Sequence, residues 1–312
     1  MLAKRFGLIG PPKKPLIPIY RNPEPDELYF DFFNSYAKKN YQWVDTKCLC
    51  GNHNDKLIST SDRHGIEYHC VICQSCGLIR PKKYLRDKDI KDFYTNHYRD
   101  TTKSKILPAE SKWKVQAEQS SYRKKLIKHY GDFDFYGDKT IVDIGGAAGG
   151  FFDGLTDSTN CILLDYFEPY LDYAESMGVK TIKGGLDKLN DANIKPDLIV
   201  INHVVEHWNN FEHEIEQLIK ASTINKTIIY IEFPGVDSLK TGRRGGDLLG
   251  DIHIPHFYYF ASYVFVNIME RFGFNSLYCD DETRAIFKYT GKKKKLVDNY
   301  SRVWNDLLEA EK

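Results

Sequence analysis

The sequence lacks any run that approaches the ~18 apolar residues needed to cross a bilayer. Its first apolar stretch breaks at Gly10-Pro11-Pro12, which is too short for the hydrophobic part of a secretory signal. Internal repeats are also absent, and the formal net charge is only +1. We therefore expect a cytoplasmic protein without a membrane span, whose overall charge does not indicate a polyanionic partner.

The small net charge conceals one basic region. Between Leu78 and Lys128 there are 15 Lys and Arg residues against 6 Asp and Glu residues. An excess of this kind is usually a solvated helical face. The alternative is a surface that recognises a phosphate-bearing substrate. Both interpretations stay open at the level of the sequence.

Cysteine is scarce outside one segment. Five of the seven cysteines lie between Cys48 and Cys76, whereas Cys161 and Cys279 stand alone in apolar, strand-like surroundings. Because no secretion signal is present, clustered thiols favour a metal site over a disulfide framework.

The spacing of the clustered cysteines indicates zinc. Cys73 and Cys76 have the C-x-x-C spacing that lets two thiolates in a tight turn bind one ion, and Cys48 and Cys50 form the nearest second pair. Cys48-Leu49-Cys50 departs from the usual spacing, so other ligands stay open. These alternatives are Cys70, His53 and His69.

From residue 139 onward, short apolar runs alternate with amphipathic segments. The runs predict buried parallel strands, and their sequences are TIVDI, CILLDY, KTI, DLIVINH and TIIYIEF. The later segment NSLYCDDETRAIFKY predicts an antiparallel edge hairpin with a polar turn. The alternation predicts an α/β fold, a doubly wound Rossmann-like sheet of seven strands with helices on both faces and an antiparallel C-terminal hairpin.

The segment IVDIGGAAGGFF combines a strand, an acidic residue and a turn of small residues. Gly145, Ala147 and Gly149 keep a small-x-small-x-small spacing, which lets backbone N–H groups approach a ligand without obstruction by a Cβ atom. Asp165 closes the next strand, 22 residues after Asp143, where a carboxylate can accept both hydroxyls of a ribose. On spacing alone, NAD and S-adenosylmethionine (SAM) both remain possible.

Four ordered segments separate these two cofactors. IVDIGGAAGG, LLDYFEPY, DLIVINHVVEHW and IIYIEFPG resemble the successive motifs of class I SAM-dependent methyltransferases, best the branch with an H-x-x-E-H signature after its fourth strand. The resemblance covers roughly residues 110–290. The resemblance implies that Asp143 contacts the cofactor and that the turn residues Gly145, Gly146, Ala147 and Gly149 hold the methionine part of SAM. It also implies that Asp165 binds the ribose and that Tyr166 lies beside the adenine. Asn202 and His203, at the end of strand four, are expected beside the sulfonium. Ala147 departs from the family pattern, which more often has glycine there, and we expect only a slight displacement.

Methyl transfer to a hydroxyl requires removal of a proton, and four side chains are candidate bases. Glu206 and His207 follow strand four, and His253 and His256 lie in the segment DIHIPHFYYF. Glu206 has an alternative role as an acid that complements a helix dipole. The histidines have an alternative role in hydrogen bonding, and which of them acts as base stays open.

A long glycine-rich loop, Gly235 to Gly250, precedes the last two histidines. A loop of this length is more often functional than a plain connection. It carries Arg243 and Arg244, which we expect to pair with a phosphate or carboxylate on the acceptor.

The combination of a cysteine module with an H-x-x-E-H methyltransferase resembles the sugar C-methyltransferases of polysaccharide and antibiotic-sugar clusters, and their relatives. In that family the module shapes the substrate pocket. The extra C-terminal domain of the longest members is not evident here, which weakens transfer of their carbon methylation. The resemblance implies a small anionic acceptor, a sugar phosphate or a nucleotide- or glycan-linked sugar, methylated at oxygen or carbon, and a structural zinc ion held by Cys48, Cys50, Cys73 and Cys76.

Two other functions stay open. The first is an RNA- or protein-directed methyltransferase that docks through the cysteine module and the basic region. The nucleobases of a bound RNA would stack on the aromatic residues of this region, which are Tyr84, Phe93, Tyr94, Tyr98 and Trp113. The same residues equally suit the seam between two domains. The second is a binding module that keeps the fold without catalysis.

The sequence predicts five segments. They are an N-terminal extension (1–47), a zinc-ribbon-like module (48–85), a helical linker or substrate cap (86–138), the SAM-binding domain (139–290) and a C-terminal tail (291–312).

Overall fold

A computed structural model describes residues 28–98, 101, 107–157 and 159–310. The chain packs as two compact units. The cysteine unit comprises the described residues of Met1–Lys105, Pro234–Val264 and Val297–Lys312, and the sheet unit those of Ile106–Phe233 and Phe265–Leu296. The five segments drawn from the sequence remain a prediction.

The strands of the described residues are, in chain order, β1 (Trp43–Asp45), β2 (Asp55–Ser61), β3 (Glu67–Cys73), β4 (Ile79–Pro81), β5 (Lys83–Leu85), β6 (Thr140–Ile144), β7 (Asn160–Asp165), β8 (Lys180–Lys183), β9 (Leu198–Asn202), β10 (Ile228–Glu232), β11 (Phe274–Cys279) and β12 (Arg284–Tyr289).

The helices are α1 (Lys38–Asn40), α2 (Asp87–Asp92), α3 (Ala109–Gly131), α4 (Glu168–Ser176), α5 (Leu186–Asp191), α6 (Phe211–Ala221), α7 (Ser262–Arg271) and α8 (Tyr300–Ala310). A π-helical turn at Phe32–Ala37 leads into α1, and another at Phe93–His97 follows α2. Short 3₁₀ turns occupy Gly150–Phe152, Val205–His207, Asp237–Thr241, Arg243–Gly246 and Leu248–Gly250. Among the described residues, no helix combines the length and the apolar character that a bilayer span requires.

The sheet unit is built on one mixed sheet of seven strands, as the sequence predicts. The strand order is β11-β12-β10-β9-β6-β7-β8. Strands β6 to β10 pair in parallel, whereas β12 pairs antiparallel with both β10 and β11. The predicted antiparallel C-terminal hairpin is therefore confirmed. The connections reverse direction between the adjacent strands β6 and β9, and ligands of doubly wound sheets bind at such a switch point.

The core of the sheet unit follows directly from the apolar runs. The side chains of Ile141, Val142 and Leu163 are completely or almost completely buried. Helix α3 lies within the segment 86–138 that the sequence predicts to be helical, and it buries Trp113 and Ile127 against this core. Consecutive residues of β6, β9 and β10 are buried, so both faces of these strands are covered.

The cysteine unit contains two small antiparallel sheets, β2-β3-β4 and β1-β5. Helix α8 packs against the turn that follows β3. The backbone N–H of Asn299 donates to the carbonyl of Ser75 at 3.2 Å, and the ammonium of Lys56 lies 3.5 Å from the ring centroid of Trp304. An added Cβ at Gly77 would lie 2.8 Å from the Cγ2 of Val303, so the close approach of α8 depends on a glycine there.

Replacement of this glycine gives a matched test of the α8 contact. Gly51 and Gly77 have φ values of +81° and +80°, but a Cβ at Gly51 meets nothing within 4 Å. We expect Gly51→Ala to cost about 1 kcal/mol, from backbone strain alone. Gly77→Ala should cost about 1–3 kcal/mol more, because the methyl group overlaps α8. Urea unfolding measures both, and equal losses would contradict the packing described here.

Candidate functional site

The carboxylate of Asp165 joins the glycine turn to the end of β7. Its Oδ2 accepts the backbone N–H of Ala147 at 2.9 Å, and its Oδ1 accepts the N–H groups of Tyr166 at 2.7 Å and Phe167 at 2.9 Å. Burial raises the pKa of Asp165, and these three hydrogen bonds oppose the increase. The residues predicted from spacing, 143–149 and 165, therefore lie together at one edge of the sheet.

The backbone of the turn has unusual dihedral angles, which explains its composition. Gly145 and Gly149 have φ values of 65° and 81°, and Ala147 adopts a φ of 50° despite its side chain. An added Cβ at Gly146 would lie 2.3 Å from the Oδ2 of Asp143, and one at Gly145 would lie 2.6 Å from the Cγ2 of Val204. Packing within the protein thus requires small residues here.

Asp143 is buried below the turn and borders a small cavity. Burial raises the pKa of Asp143 to about 8, although the charge of Arg123 opposes the shift. The cavity has a volume of about 30 Å³ and is also lined by Gln116 and Asn202. The Oδ1 of Asp143, the Oε1 of Gln116 and the Oδ1 of Asn202 are buried without a hydrogen-bond donor among the described residues. Three acceptors around one cavity suit a ligand group that donates hydrogen bonds.

An ion pair that was not predicted from the sequence lies on this edge of the sheet. Arg123 of α3 donates from Nε and Nη2 to the carboxylate of Glu232, at 2.7 and 3.0 Å. The hydroxyl of Tyr230 donates to the same carboxylate at 2.5 Å. Burial alone would raise the pKa of Glu232, but Arg123 and Tyr230 lower it below its ordinary value. A lone acid at the end of the apolar run IIYIEF was the available signal.

His203 and Glu206 pair after β9. The Nδ1 of His203 lies 3.3 Å from the Oε1 of Glu206, which is almost fully buried. Burial lowers the pKa of His203, but its contact with Glu206 prevails and raises the pKa above its ordinary value. His203 has a φ of 55°, and its N–H donates to the carbonyl of Glu232 at 2.7 Å. His207 lies in the following 3₁₀ turn.

The other two candidate histidines belong to the cysteine unit. The rings of His253 and His256 lie 3.9 Å apart, centroid to centroid. The hydroxyl of Tyr259 donates toward the carbonyls of both residues, at 3.1 and 3.0 Å. Tyr258 and Tyr259 are buried.

The expected role of the loop arginines is not supported. Arg243 donates through Nη1 to the Oδ1 of Asp251 at 2.7 Å, and through Nη2 to the carbonyl of Gly235 at 2.7 Å. The Nε of Arg244 also lies 3.3 Å from Asp251. Asp251 is buried, so its carboxylate requires these partners. The two arginines stabilise the loop itself.

The four predicted zinc ligands converge in the cysteine unit. Within the described residues, the ligand atoms of Cys48, Cys50, Cys73 and Cys76 all lie within 4.8 Å of one another. The Sγ atoms of Cys48 and Cys76 are 3.4 Å apart, and those of Cys50 and Cys73 are 3.6 Å apart. A tetrahedron with metal–sulfur bonds of about 2.3 Å has edges of about 3.8 Å. Cys70, His53 and His69 do not belong to this group.

Most aromatic residues of the basic region are not available for base stacking. Tyr84, Phe93 and Trp113 are buried, with exposed fractions of 2%, 0% and 4%. Trp113 also donates from Nε1 to the Oδ1 of Asp153 at 3.1 Å. Tyr94 is exposed. Burial of these three side chains favours the alternative of packing over that of base stacking.

No protein-family model matches the sequence, and no protein of curated function matches it either. Solved structures give distant similarities. A SAM-dependent methyltransferase from Clostridium acetobutylicum has 12% identity and a TM-score of 0.42, covering 65% of this chain and 100% of the other. A SAM-dependent methyltransferase from Aquifex aeolicus has 15% identity and a TM-score of 0.38, covering 53% of this chain and 85% of the other. At these scores the similarities carry no argument about the reaction, which must come from the site itself.

The buried carboxyl of Asp143 predicts a distinctive pH dependence of stability. Its folded pKa of about 8 exceeds the ordinary value of 3.8, so between these values the folded chain holds a proton that the unfolded chain releases. The free energy of unfolding contributed by this group therefore falls as pH rises through this window. Asp143→Asn removes the titration. In urea unfolding, the free energy of unfolding of the variant should rise relative to that of the wild type by up to about 1.4 kcal/mol per pH unit between pH 5.5 and 7.5. Parallel stability curves would contradict a buried, protonated Asp143.

Proposed function

We propose that the chain is a SAM-dependent methyltransferase that acts on a small anionic acceptor, a nucleotide- or glycan-linked sugar, at oxygen or carbon. The cavity at the switch point carries the proposal. Its three donor-free oxygens, on Gln116, Asp143 and Asn202, suit the ammonium group of the methionine part of SAM. The ordered motifs support the same cofactor over NAD, whose nicotinamide end offers no ammonium group.

Asp165 has fewer acceptor sites left for the ribose hydroxyls than its spacing in the sequence suggested. A carboxylate has about four acceptor sites, and three backbone N–H groups already use three of them. Oδ2 accepts from Ala147 only, so we infer that it takes one ribose hydroxyl. Tyr166, whose exposed fraction is 72%, is free of core packing and suits a flanking role beside adenine.

The reaction supported by this site is in-line displacement at a methyl group. SAM supplies an electrophilic methyl group, and the protein must orient the acceptor and remove its proton when the acceptor is a hydroxyl. Glu206 stabilises the protonated form of His203, so a smaller fraction of this imidazole is free to accept a proton. Glu206, His207, His253 and His256 remain the candidate bases, and Glu206 is the one that contacts His203.

A structural zinc ion is part of the proposal. Four thiolates around Zn²⁺ carry a net charge of −2, and the charge of Arg80 acts on Cys48 and Cys73. Arg80 is 1% exposed and donates to both oxygens of Asp55, at 3.0 and 2.9 Å. The pair with Asp55 holds the guanidinium in place, and its charge acts on the thiolates as well as on Asp55. Cys76 directly precedes Gly77, where α8 packs, so the metal would support that contact.

Transfer of label tests the proposed reaction. The purified chain is incubated with methyl-labelled SAM and cell extract, and the products are separated into small anions and nuclease-sensitive polymer. We expect label among the small anions. Asp165→Asn should lower SAM affinity at least about tenfold, because a charged acceptor is lost, whereas Glu168→Gln, three residues away and exposed, should not. Label in the polymer would identify an RNA methyltransferase, and an unchanged affinity of Asp165→Asn would remove the basis of the cofactor site.

Metal content tests the zinc proposal separately. The purified chain should hold one zinc ion, and Cys73→Ser or a chelator should release it. Loss of the metal should loosen α8, so that trypsin cleaves after Arg302 while the wild type resists. Cys161→Ser, which replaces a buried cysteine of β7, should retain both zinc and resistance. A full complement of zinc in Cys73→Ser would rule out the four-cysteine site.

A further inference from the structure

The cysteine unit has a cavity that is separate from the cavity at the switch point of the sheet unit and from the cysteine cluster. Its volume is about 310 Å³, within the lower range of small-molecule pockets. Phe33, Ile66 and Tyr68 form an apolar floor and are all at least 96% buried. Trp43 of β1 is partly exposed and lies 6.2 Å from the ring of Tyr68, centroid to centroid. The walls therefore offer flat aromatic surface to a ligand.

The rim of this cavity is positively charged. Lys38, Lys82 and Lys83 line it, and all three are exposed. Among the described residues, their ammonium groups have no ion-pair or hydrogen-bond partner. The acid of the lining, Glu67, lies 3.8 Å from the imidazole of His69. The rim thus carries more positive than negative charge, with three donors oriented by different elements.

The backbone of the three lysines is held in place relative to the apolar floor, whereas their side chains are exposed. Lys83 lies on β5, which pairs with β1 so that Trp43 is opposite Leu85. The backbone N–H of Lys82 donates to the carbonyl of His69 at 2.7 Å, which anchors it to β3. Lys38 begins α1, directly after the π-helical turn that carries Phe33. An aromatic floor and a cationic rim are thereby held side by side.

We propose that this cavity binds a nucleoside diphosphate group, with the base against Trp43 and the phosphates near Lys38, Lys82 and Lys83. The inference rests on the proposed function, which names a nucleotide-linked sugar among its acceptors. Arg243 and Arg244 both contact Asp251, whereas the three lysines of the rim have no such partner among the described residues. A base adds stacking on an aromatic ring, and phosphates add charge-assisted hydrogen bonds.

The size of the cavity favours a small ligand over RNA. A volume of about 310 Å³ accommodates a single nucleotide, whereas RNA-binding surfaces are grooves that follow several successive nucleotides. Three of the five aromatic residues of the basic region are buried, which further limits an extended stacking surface.

Binding of UDP to the full-length chain tests the assignment, with uridine, inorganic diphosphate and a short single-stranded RNA as comparisons. We expect saturable binding of UDP by calorimetry. The double variant K82A/K83A should weaken UDP binding at least tenfold, and Trp43→Leu should weaken it at least threefold. The matched control K292A/K293A removes two lysines from an exposed run of the sheet unit and should leave UDP affinity unchanged.

The outcomes separate this inference from the proposed function. SAM affinity is measured on each variant and should stay at the wild-type value, which also shows that the variants fold. Diphosphate binding as tightly as UDP, with no effect of Trp43→Leu, would overturn the nucleotide assignment in favour of a plain anion site. Binding of RNA without UDP, or of neither, would also overturn it. If SAM itself fails to bind the wild type, the proposed function fails, whatever UDP does.

Discussion

The candidate site depends on one carboxylate that organises backbone from two loops. Asp165 accepts N–H groups from Ala147 in the turn after β6 and from Tyr166 and Phe167 after β7. Adjacent parallel strands bring their carboxyl ends to the same edge, and hydrogen bonds to a charged acceptor then fix how the two loops meet. The positive φ of Ala147 is tolerated in this context. The geometry of the proposed cofactor site therefore follows from strand order and a single acid.

The same edge concentrates polar and ionisable groups below its surface. The pair of Arg123 and Glu232 is mostly shielded from solvent, Glu206 is buried beside His203, and the Oδ1 of Asp143 is buried without a hydrogen-bond donor among the described residues. Buried polar groups of this kind destabilise a fold unless they are satisfied. Their concentration at the carboxyl ends of the strands is the pattern expected of a ligand site.

The sequence predicted much of this fold because its signals are local. Apolar runs gave β6 to β10, the acid-turn-acid spacing gave residues 143–149 and 165, and cysteine spacing identified four thiols that converge in space. The sequence could not reveal contacts between distant segments. Arg123 pairs with Glu232 across a separation of 109 residues. Arg243 and Arg244, which the sequence assigned to a substrate, contact Asp251 instead. Burial of Tyr84, Phe93 and Trp113 likewise depends on tertiary packing.

If the switch-point cavity and Asp165 form a SAM site, equilibrium dialysis of the purified chain against labelled SAM detects it. NAD is the competitor that the glycine turn alone would also allow. We expect one saturable SAM site per chain that excess unlabelled SAM empties and excess NAD does not. Saturable binding of NAD, or displacement of SAM by NAD at comparable concentration, would show that the site is not specific for SAM.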